Sequence, residues 1–191
     1  MTDKILLGHG SGGQLSHDLI KNLFVRYFDS DELKKESDSA ILNIPETTIA
    51  YTTDSYVVDP IFFKGGNIGK LAIAGTVNDL AVSGAIPGYI SSSFIIEEGL
   101  PIKDLEKIVA TMSEEATKAG VKIVTGDTKV VNRGKCDKIF INTSGIGVVQ
   151  NKHIDISNGK NIKEGDIIII NGSVGDHGIA IMSERNELKI N

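Results

Sequence analysis

The order of apolar and polar positions predicts most of the chain's elements. Between 15 and 28, Leu15, Leu19, Ile20, Leu23, Phe24, Tyr27 and Phe28 recur at helical spacing and predict an amphipathic helix. Ile102, Leu105, Val109, Met112, Ala116 and Ala119 step by threes and fours behind Pro101, which suits a first turn, and end at Gly120, which suits a helix stop. That stripe reads as core, without chemistry. Residues 67–82 are apolar almost all round (Ile68, Leu71, Ala72, Ile73, Ala74, Val77, Leu80, Ala81, Val82), the pattern of a buried helix. Gly75 and Gly84 would let neighbours approach it closely. Short runs at 41–44, 48–53, 89–96, 121–124 and 139–149 predict strands, the fourth of them buried, and 62–67 predicts a turn. The hairpin-like pair at 41–53 argues for an α+β domain, a mostly antiparallel sheet with helices on one face.

From about 151 the character changes. The wholly apolar run 167–170 predicts a strand, and the glycine-rich stretch 172–178 opens a short helix over 179–184. Some forty residues with one strand and one helix do not bury a core of their own. The chain divides on this reading into a domain over 1–150 and, over 151–191, the start of a truncated α+β second domain or a small appendage.

The 191 residues are 40% hydrophobic and 24% charged, with a net charge of −5. Those values suit a soluble globular protein and do not suggest a nucleic-acid surface. The single cysteine, Cys136, excludes an internal disulfide and a cysteine-based zinc site. It stands in a polar turn between Lys135 and Asp137 and is expected to be exposed. The N-terminus lacks the pattern of a signal peptide and no run is long enough to span a membrane, so a cytoplasmic protein is expected.

Candidate chemistry lies in acidic residues at element ends. Asp79, beside Asn78, sits inside the apolar run, where a carboxylate is costly unless paired; it either caps the second half of a broken helix or ligates a metal. Asp38, Asp54 and Asp127 adjoin predicted strands and are either turn formers or ligands. All four are hard oxygen donors without a histidine or cysteine cluster among them, which favours magnesium. Thr128 and Lys129 follow Asp127; the lysine is either a solvated surface group or a cation for phosphates. Gly-His-Gly-Ser-Gly-Gly at 8–13 matches a dinucleotide fingerprint, but 29–39 is polar and no strand precedes the acidic residues there. Gly10, Ser11, Gly12 and Gly13 form either a lid over phosphates or a plain turn into the helix. A P-loop around Gly69-Lys70 fails, because position 64 is Lys and Leu71 replaces Ser or Thr. Magnesium, a glycine lid and a lysine together point to the handling of nucleotide phosphates.

The motifs that carry a resemblance are Gly-His-Gly-Ser-Gly-Gly-Gln at 8–14, Thr-Asp-Ser-Tyr-Val-Val-Asp-Pro at 53–60 and Gly-Gly-Asn-Ile-Gly-Lys-Leu-Ala at 65–72. Further on are Gly-Thr-Val-Asn-Asp-Leu-Ala-Val-Ser-Gly-Ala-Ile-Pro at 75–87, Gly-Asp-Thr-Lys-Val-Val at 126–131 and Gly-Asp-His-Gly at 175–178. Over essentially its whole length the chain resembles the HypE family of hydrogenase maturation proteins, within the superfamily of aminoimidazole ribonucleotide (AIR) synthetase (PurM), thiamine-monophosphate kinase (ThiL) and selenophosphate synthetase (SelD). The resemblance implies a PurM-like N-terminal domain over 1–150 that binds ATP and pairs with a second copy through its sheet, and no nucleic-acid or membrane partner. It implies that Asp38, Asp54, Asp79 and Asp127 hold Mg2+ and the ATP phosphates, that Asn78, Thr128 and Lys129 assist, and that Gly10 to Gly13 cover the nucleotide. Lys129 is the catalytic candidate.

By the same resemblance, a carbamoyl group delivered by the carbamoyltransferase HypF to a C-terminal cysteine is dehydrated with ATP from thiocarboxamide to thiocyanate. The cyanide then passes to iron on the HypC–HypD complex for nickel–iron hydrogenase. The chain departs from the family pattern in ending at Lys-Ile-Asn, and Cys136 does not match the acceptor position. A fragment that binds Mg-ATP and dimerises without completing the reaction is therefore expected. Two alternatives stand beside it: a ThiL-like kinase or SelD-like synthetase, and a non-catalytic interaction module. His177 in Gly-Asp-His-Gly is either a functional group or a structural helix-start residue.

Overall fold

The computed structural model describes residues 13–19, 21, 34, 40–44 and 47–185. The elements are α1 (Gln14–Leu19), β1 (Ala40–Ile44), β2 (Thr47–Tyr56), β3 (Phe62–Phe63), β4 (Gly66–Asn67), α2 (Ile68–Val82), β5 (Ala85–Glu97), α3 (Ile102–Ala119), β6 (Lys122–Val131), β7 (Ile139–Val149) and α4 (Asp176–Glu184), with a turn of 3-10 helix at Asn151–His153. Of the first predicted helix, 20 and 22–28 lie outside the described residues.

Five strands make one sheet in the order β1-β2-β7-β5-β6, antiparallel except for the parallel pair β5 and β6. The α+β architecture, mostly antiparallel with helices on one face, is as expected. Strand β7 is central, and its alternation explains the layering. Ile139, Ile141 and Thr143 are buried toward the helices, while Phe140, Asn142 and Ser144 face the other way. Ile139 and Ile141 join Ile90 and Ile96 of β5, Ile68 and Ile73 of α2, and Ile108 and Met112 of α3 in one core. Each such side chain contributes about 1.5–3 kcal/mol on full burial.

The two long helices are set by a cap and a close approach. Asn67 caps α2, its Oδ1 accepting from the N–H groups of Gly69 (2.9 Å) and Lys70 (3.1 Å), and its Nδ2 donates to Thr111 of α3 at 2.9 Å. A Cβ on Gly69 would lie 2.6 Å from the Ile108 carbonyl oxygen, so only glycine lets α2 and α3 cross there. Helix α3 ends at Gly120 with φ of 71°, the left-handed stop expected.

Several expectations are corrected. Helix α2 is not buried all round: Asn78, Ala81 and Val82 face solvent, because the sheet and α3 leave one side of its last turns open. It is also continuous, so Asp79 caps no second half. The strand expected at 121–124 is ten residues long and exposed from Lys122 on, since β6 is an edge strand with a groove between it and α3; Val121 alone is buried. Residues 167–170 form no strand. Ile167, Ile168, Ile169 and Ile170 are 65 to 93% exposed, for an apolar run without a neighbouring strand has nothing to pair with. Cys136 is buried rather than exposed. Its loop folds back on β5, with the thiol toward the Ile95 carbonyl (3.6 Å) and Glu97 accepting from the N–H groups of Gly134 and Lys138.

The helix expected at 179–184 is α4. It docks beside β3, with the ring of His177 edge-on to Phe63 at 5.9 Å and Arg185 Nε donating to the Asp59 carbonyl at 2.7 Å. Among the described residues no helix is long and apolar enough to cross a membrane.

Candidate functional site

Strand β2 presents Thr52, Asp54 and Tyr56 toward the helices. All three are in register with inward residues of β7, namely Gly145, Thr143 and Ile141. Helix α2 crosses above and brings Ala72, Gly75, Thr76 and Asp79, at helical spacings of three and four, over the same strip. Apolar β-branched residues would complete the core here. The sequence supplies hydroxyls and carboxylates instead.

Thr52 Oγ1 donates to Asp79 Oδ2 at 3.0 Å. Asp79 is thus held by a side chain of the sheet. Asp54 Oδ1 accepts from the Ser55 N–H at 2.9 Å. Thr76 and Thr143 lie 2.5 Å apart through their hydroxyls, and Thr143 Oγ1 donates to the Ala72 carbonyl at 3.2 Å. Because Thr143 spends its one proton on that carbonyl, Thr76 is the donor within the threonine pair.

Tyr56 closes the strip. Its hydroxyl is buried and makes no hydrogen bond of normal geometry, although Thr76 and Asp54 lie beside it. The ring tip occupies the space a side chain on Gly75 would need. Burial above all pushes the phenol above its usual range; Thr76 opposes the rise, and Asp54 and, least, Asp79 add to it. Two carboxylates and several hydroxyls make a hard-oxygen set that fits magnesium, and the unpaired phenol shows a site with a polar group to spare.

The other predicted residues lie apart. Asn78 is exposed one position before Asp79. Asp127 and Lys129 are exposed on β6, opposite Ser93 and Ile95 of β5, positions that alternate with the helix-facing Ser92 and Phe94; Thr128 is opposite Phe94. Gly13 is exposed, and its carbonyl accepts from the His17 N–H at 3.1 Å in the first turn of α1. Gly10, Ser11, Gly12 and Asp38 lie outside the described residues. Among the described residues no three His, Cys, Asp or Glu side chains converge as a metal cluster.

Sequence reasoning missed Thr52, Tyr56, Thr76 and Thr143. Thr52 and Tyr56 carried a readable signal, since both stand two residues from Asp54 on one strand and so share its face. Thr76 and Thr143 needed the register of β7. A groove of about 850 Å³ also runs between α3 and β6, lined by Phe94, Met112, Ala116 and the buried, unpaired hydroxyl of Ser92.

Residues 36–149 match the family model described as AIR synthase related protein, N-terminal domain. The carbamoyl dehydratase HypE of Rhizobium leguminosarum bv. viciae is 49% identical over 186 residues, covering 97% of this chain and 53% of that protein. The structure of HypE in a HypE–HypF complex superposes with a TM-score of 0.80 at 50% identity, covering 91% of this chain and 55% of that one. The structure of hydrogenase maturation protein HypE in complex with ATP gives a TM-score of 0.70 at 53% identity, covering 97% and 54%. The HypE resemblance read from the motifs is borne out. The chain spans about half the length of the curated relatives it matches. On the match over 36–149, with its fold and motifs in agreement, the chain belongs to the family of AIR synthase related proteins.

Proposed function

We propose that this chain is the ATP-binding part of a HypE-type carbamoyl dehydratase. The observation that carries the reading is its 53% identity, over 97% of its length, to the HypE whose structure holds ATP. The strip of Asp54, Asp79, Thr52 and Tyr56 supports it, because those residues supply the oxygen chemistry such a ligand needs. Asp38, Asp54, Asp79 and Asp127 are the magnesium ligands in this proposal, Asp54 and Asp79 on the strip and Asp127 at a separate position on β6. Gly10, Ser11, Gly12 and Gly13 cover the nucleotide, and Asn78, Thr128 and Lys129 assist at the phosphates. Lys129 is also the residue assigned to the reaction. Bound magnesium would neutralise charge on the phosphates. The protein's own task is to hold the carboxylates in place and keep water from the reacting groups.

The activity so proposed is the ATP-dependent dehydration of a cysteine thiocarboxamide to thiocyanate, which supplies the cyanide ligand of nickel–iron hydrogenase. Cys136 is no candidate for the carbamoylated thiol, being buried with its pKa raised by that burial and by Glu97 and Asp137. HypF would deliver the carbamoyl group and the HypC–HypD complex would receive the cyanide, in the cytoplasm. A second copy of the chain would cover the open face of the sheet, where Tyr51, Tyr89, Ile95, Ile146 and Val148 are exposed. Residues 1–150 are the ATP-binding and dimerisation domain in this reading, and 151–191 begin a second domain whose further strands would pair the exposed run 167–170.

Isothermal titration of ATP into the chain, with and without magnesium and beside Asp79→Asn, tests the proposal. Magnesium-dependent binding that the substitution abolishes is expected. A wild-type chain that binds ATP equally well without the metal overturns the reading.

A further inference from the structure

We propose that the Tyr56 hydroxyl is a positioning group, the donor that fixes the Asp54 carboxylate in its metal-bound orientation. The inference rests on the Mg-ATP reading above and adds a residue to it.

The two described carboxylates of the strip are held unequally. Asp79 accepts a hydrogen bond across elements, from Thr52 of β2. Asp54 accepts from the N–H of Ser55, its own neighbour in the chain, at 2.9 Å. A contact to the adjacent residue does not set the side chain against α2. A ligand carboxylate needs such a second partner to present a fixed oxygen to a metal.

Tyr56 is built to be that partner. It stands two positions after Asp54 on β2, on the same face, and its hydroxyl is buried beside that carboxylate without a hydrogen bond of normal geometry. A buried phenol without a partner is costly, and phenylalanine would fill the same space without that cost. Gly75 clears the position, for any Cβ there would overlap the phenol oxygen. Two acceptors lie in reach, Asp54 and Thr76. The Thr76 hydroxyl already donates to Thr143, and its remaining lone pairs are a neutral acceptor. A carboxylate is the stronger one, since charge-assisted hydrogen bonds are about twice as strong as neutral ones. A modest turn of Asp54 toward α2 on metal binding would therefore be held by Tyr56.

The test is Tyr56→Phe in the full 191-residue chain, titrated with ATP over a range of magnesium concentrations and in its absence, with folding followed by circular dichroism. A native spectrum and a magnesium requirement raised about tenfold are expected, the range in which outer-sphere partners act. Asp54→Asn supplies the control. If Tyr56 works through Asp54, adding Tyr56→Phe to Asp54→Asn causes no further loss. An unchanged magnesium requirement in Tyr56→Phe, or full additivity of the two substitutions, overturns the inference while the Mg-ATP reading stands. A wild-type chain without magnesium-dependent binding fails both together, and the two failures are told apart by the wild-type titration alone.

Discussion

The phenol oxygen of Tyr56 fills the space above Gly75 so closely that a Cβ at that glycine would overlap it, with the ring carbons Cζ and Cε1 at 3.1 and 3.2 Å behind. A strand residue thus dictates a glycine in the middle of α2, where alanine would otherwise favour the helix by about 1 kcal/mol. Gly75→Ala should destabilise the chain by about 1–3 kcal/mol through overpacking, despite the better helix propensity. Tyr56→Phe alone should stabilise the chain by about 1 kcal/mol, since it removes a buried hydroxyl without a partner. The double variant should recover most of the loss, because the oxygen is the nearest obstacle. Urea unfolding of the four chains gives the coupling. Additive losses would mean that the two residues do not meet.

Thr52 is 4% exposed and its hydroxyl is spent on Asp79. Thr52→Val keeps the shape and removes the donor. A hydrogen bond to a charged group contributes about 1.5–3 kcal/mol, less where the pair is partly wet. A loss of about 1–2 kcal/mol in urea unfolding is expected, together with weaker magnesium-dependent ATP binding. A loss of stability with nucleotide binding unchanged would separate Asp79 from the ligand site.

The raised ionisation of Tyr56 has a pH consequence of definite sign. The native state holds the phenol proton more tightly than the unfolded chain does, where tyrosine titrates near about 10. The stability it carries is fully present below that pH and is lost as pH rises above it toward the folded value. Wild type and Tyr56→Phe should therefore follow parallel stability curves from about pH 7 to 9 and separate above about pH 10, wild type falling faster. Urea midpoints at pH steps through this range are the measurement. Curves that stay parallel would contradict a buried phenol.

How much of this was legible follows from the kind of signal involved. The helix from Ile102 to Ala119 and its stop at Gly120 depend on local period and backbone freedom and stand as read, but the stripe is only partly core: Ile102, Val109 and Ala119 are exposed, and Ile108 is buried with Met112 and Ala116. Asp79 was visible as a carboxylate out of keeping with its apolar surroundings, and Asp54 as an acidic residue beside a predicted strand. That they share one strip, with Asp127 away on β6, depends on which strand pairs with which. No local pattern contains that. The row of Thr52, Thr76 and Thr143 is hidden for the same reason, since threonine is common in strands and its neighbours here come from three elements. Two misreadings show the converse. The run 167–170 has the composition of a buried strand and no strand beside it. Cys136 has charged neighbours in sequence, yet Glu97, far earlier in the chain, folds its loop inward.

That loop makes the last prediction. Cys136 is buried, and its thiol is pushed up by burial and by the charges of Glu97 and Asp137, so little thiolate forms near neutral pH. Modification by a disulfide reagent at pH 8 should be slow and should become fast on adding denaturant. Glu97→Ala acts on both causes. It removes the acceptor for the N–H groups of Gly134 and Lys138, which loosens the loop, and it removes a charge that opposes thiolate formation. Both hydrogen bonds are solvent-exposed, so a modest loss of about 1.4 kcal/mol is expected, which corresponds to about a tenfold faster reaction when the open loop is sampled rapidly. Glu97→Gln keeps one acceptor oxygen and loses the charge, and should fall between the two. If Glu97→Ala and wild type react at the same rate, the loop is held by the thiol's own packing and not by Glu97.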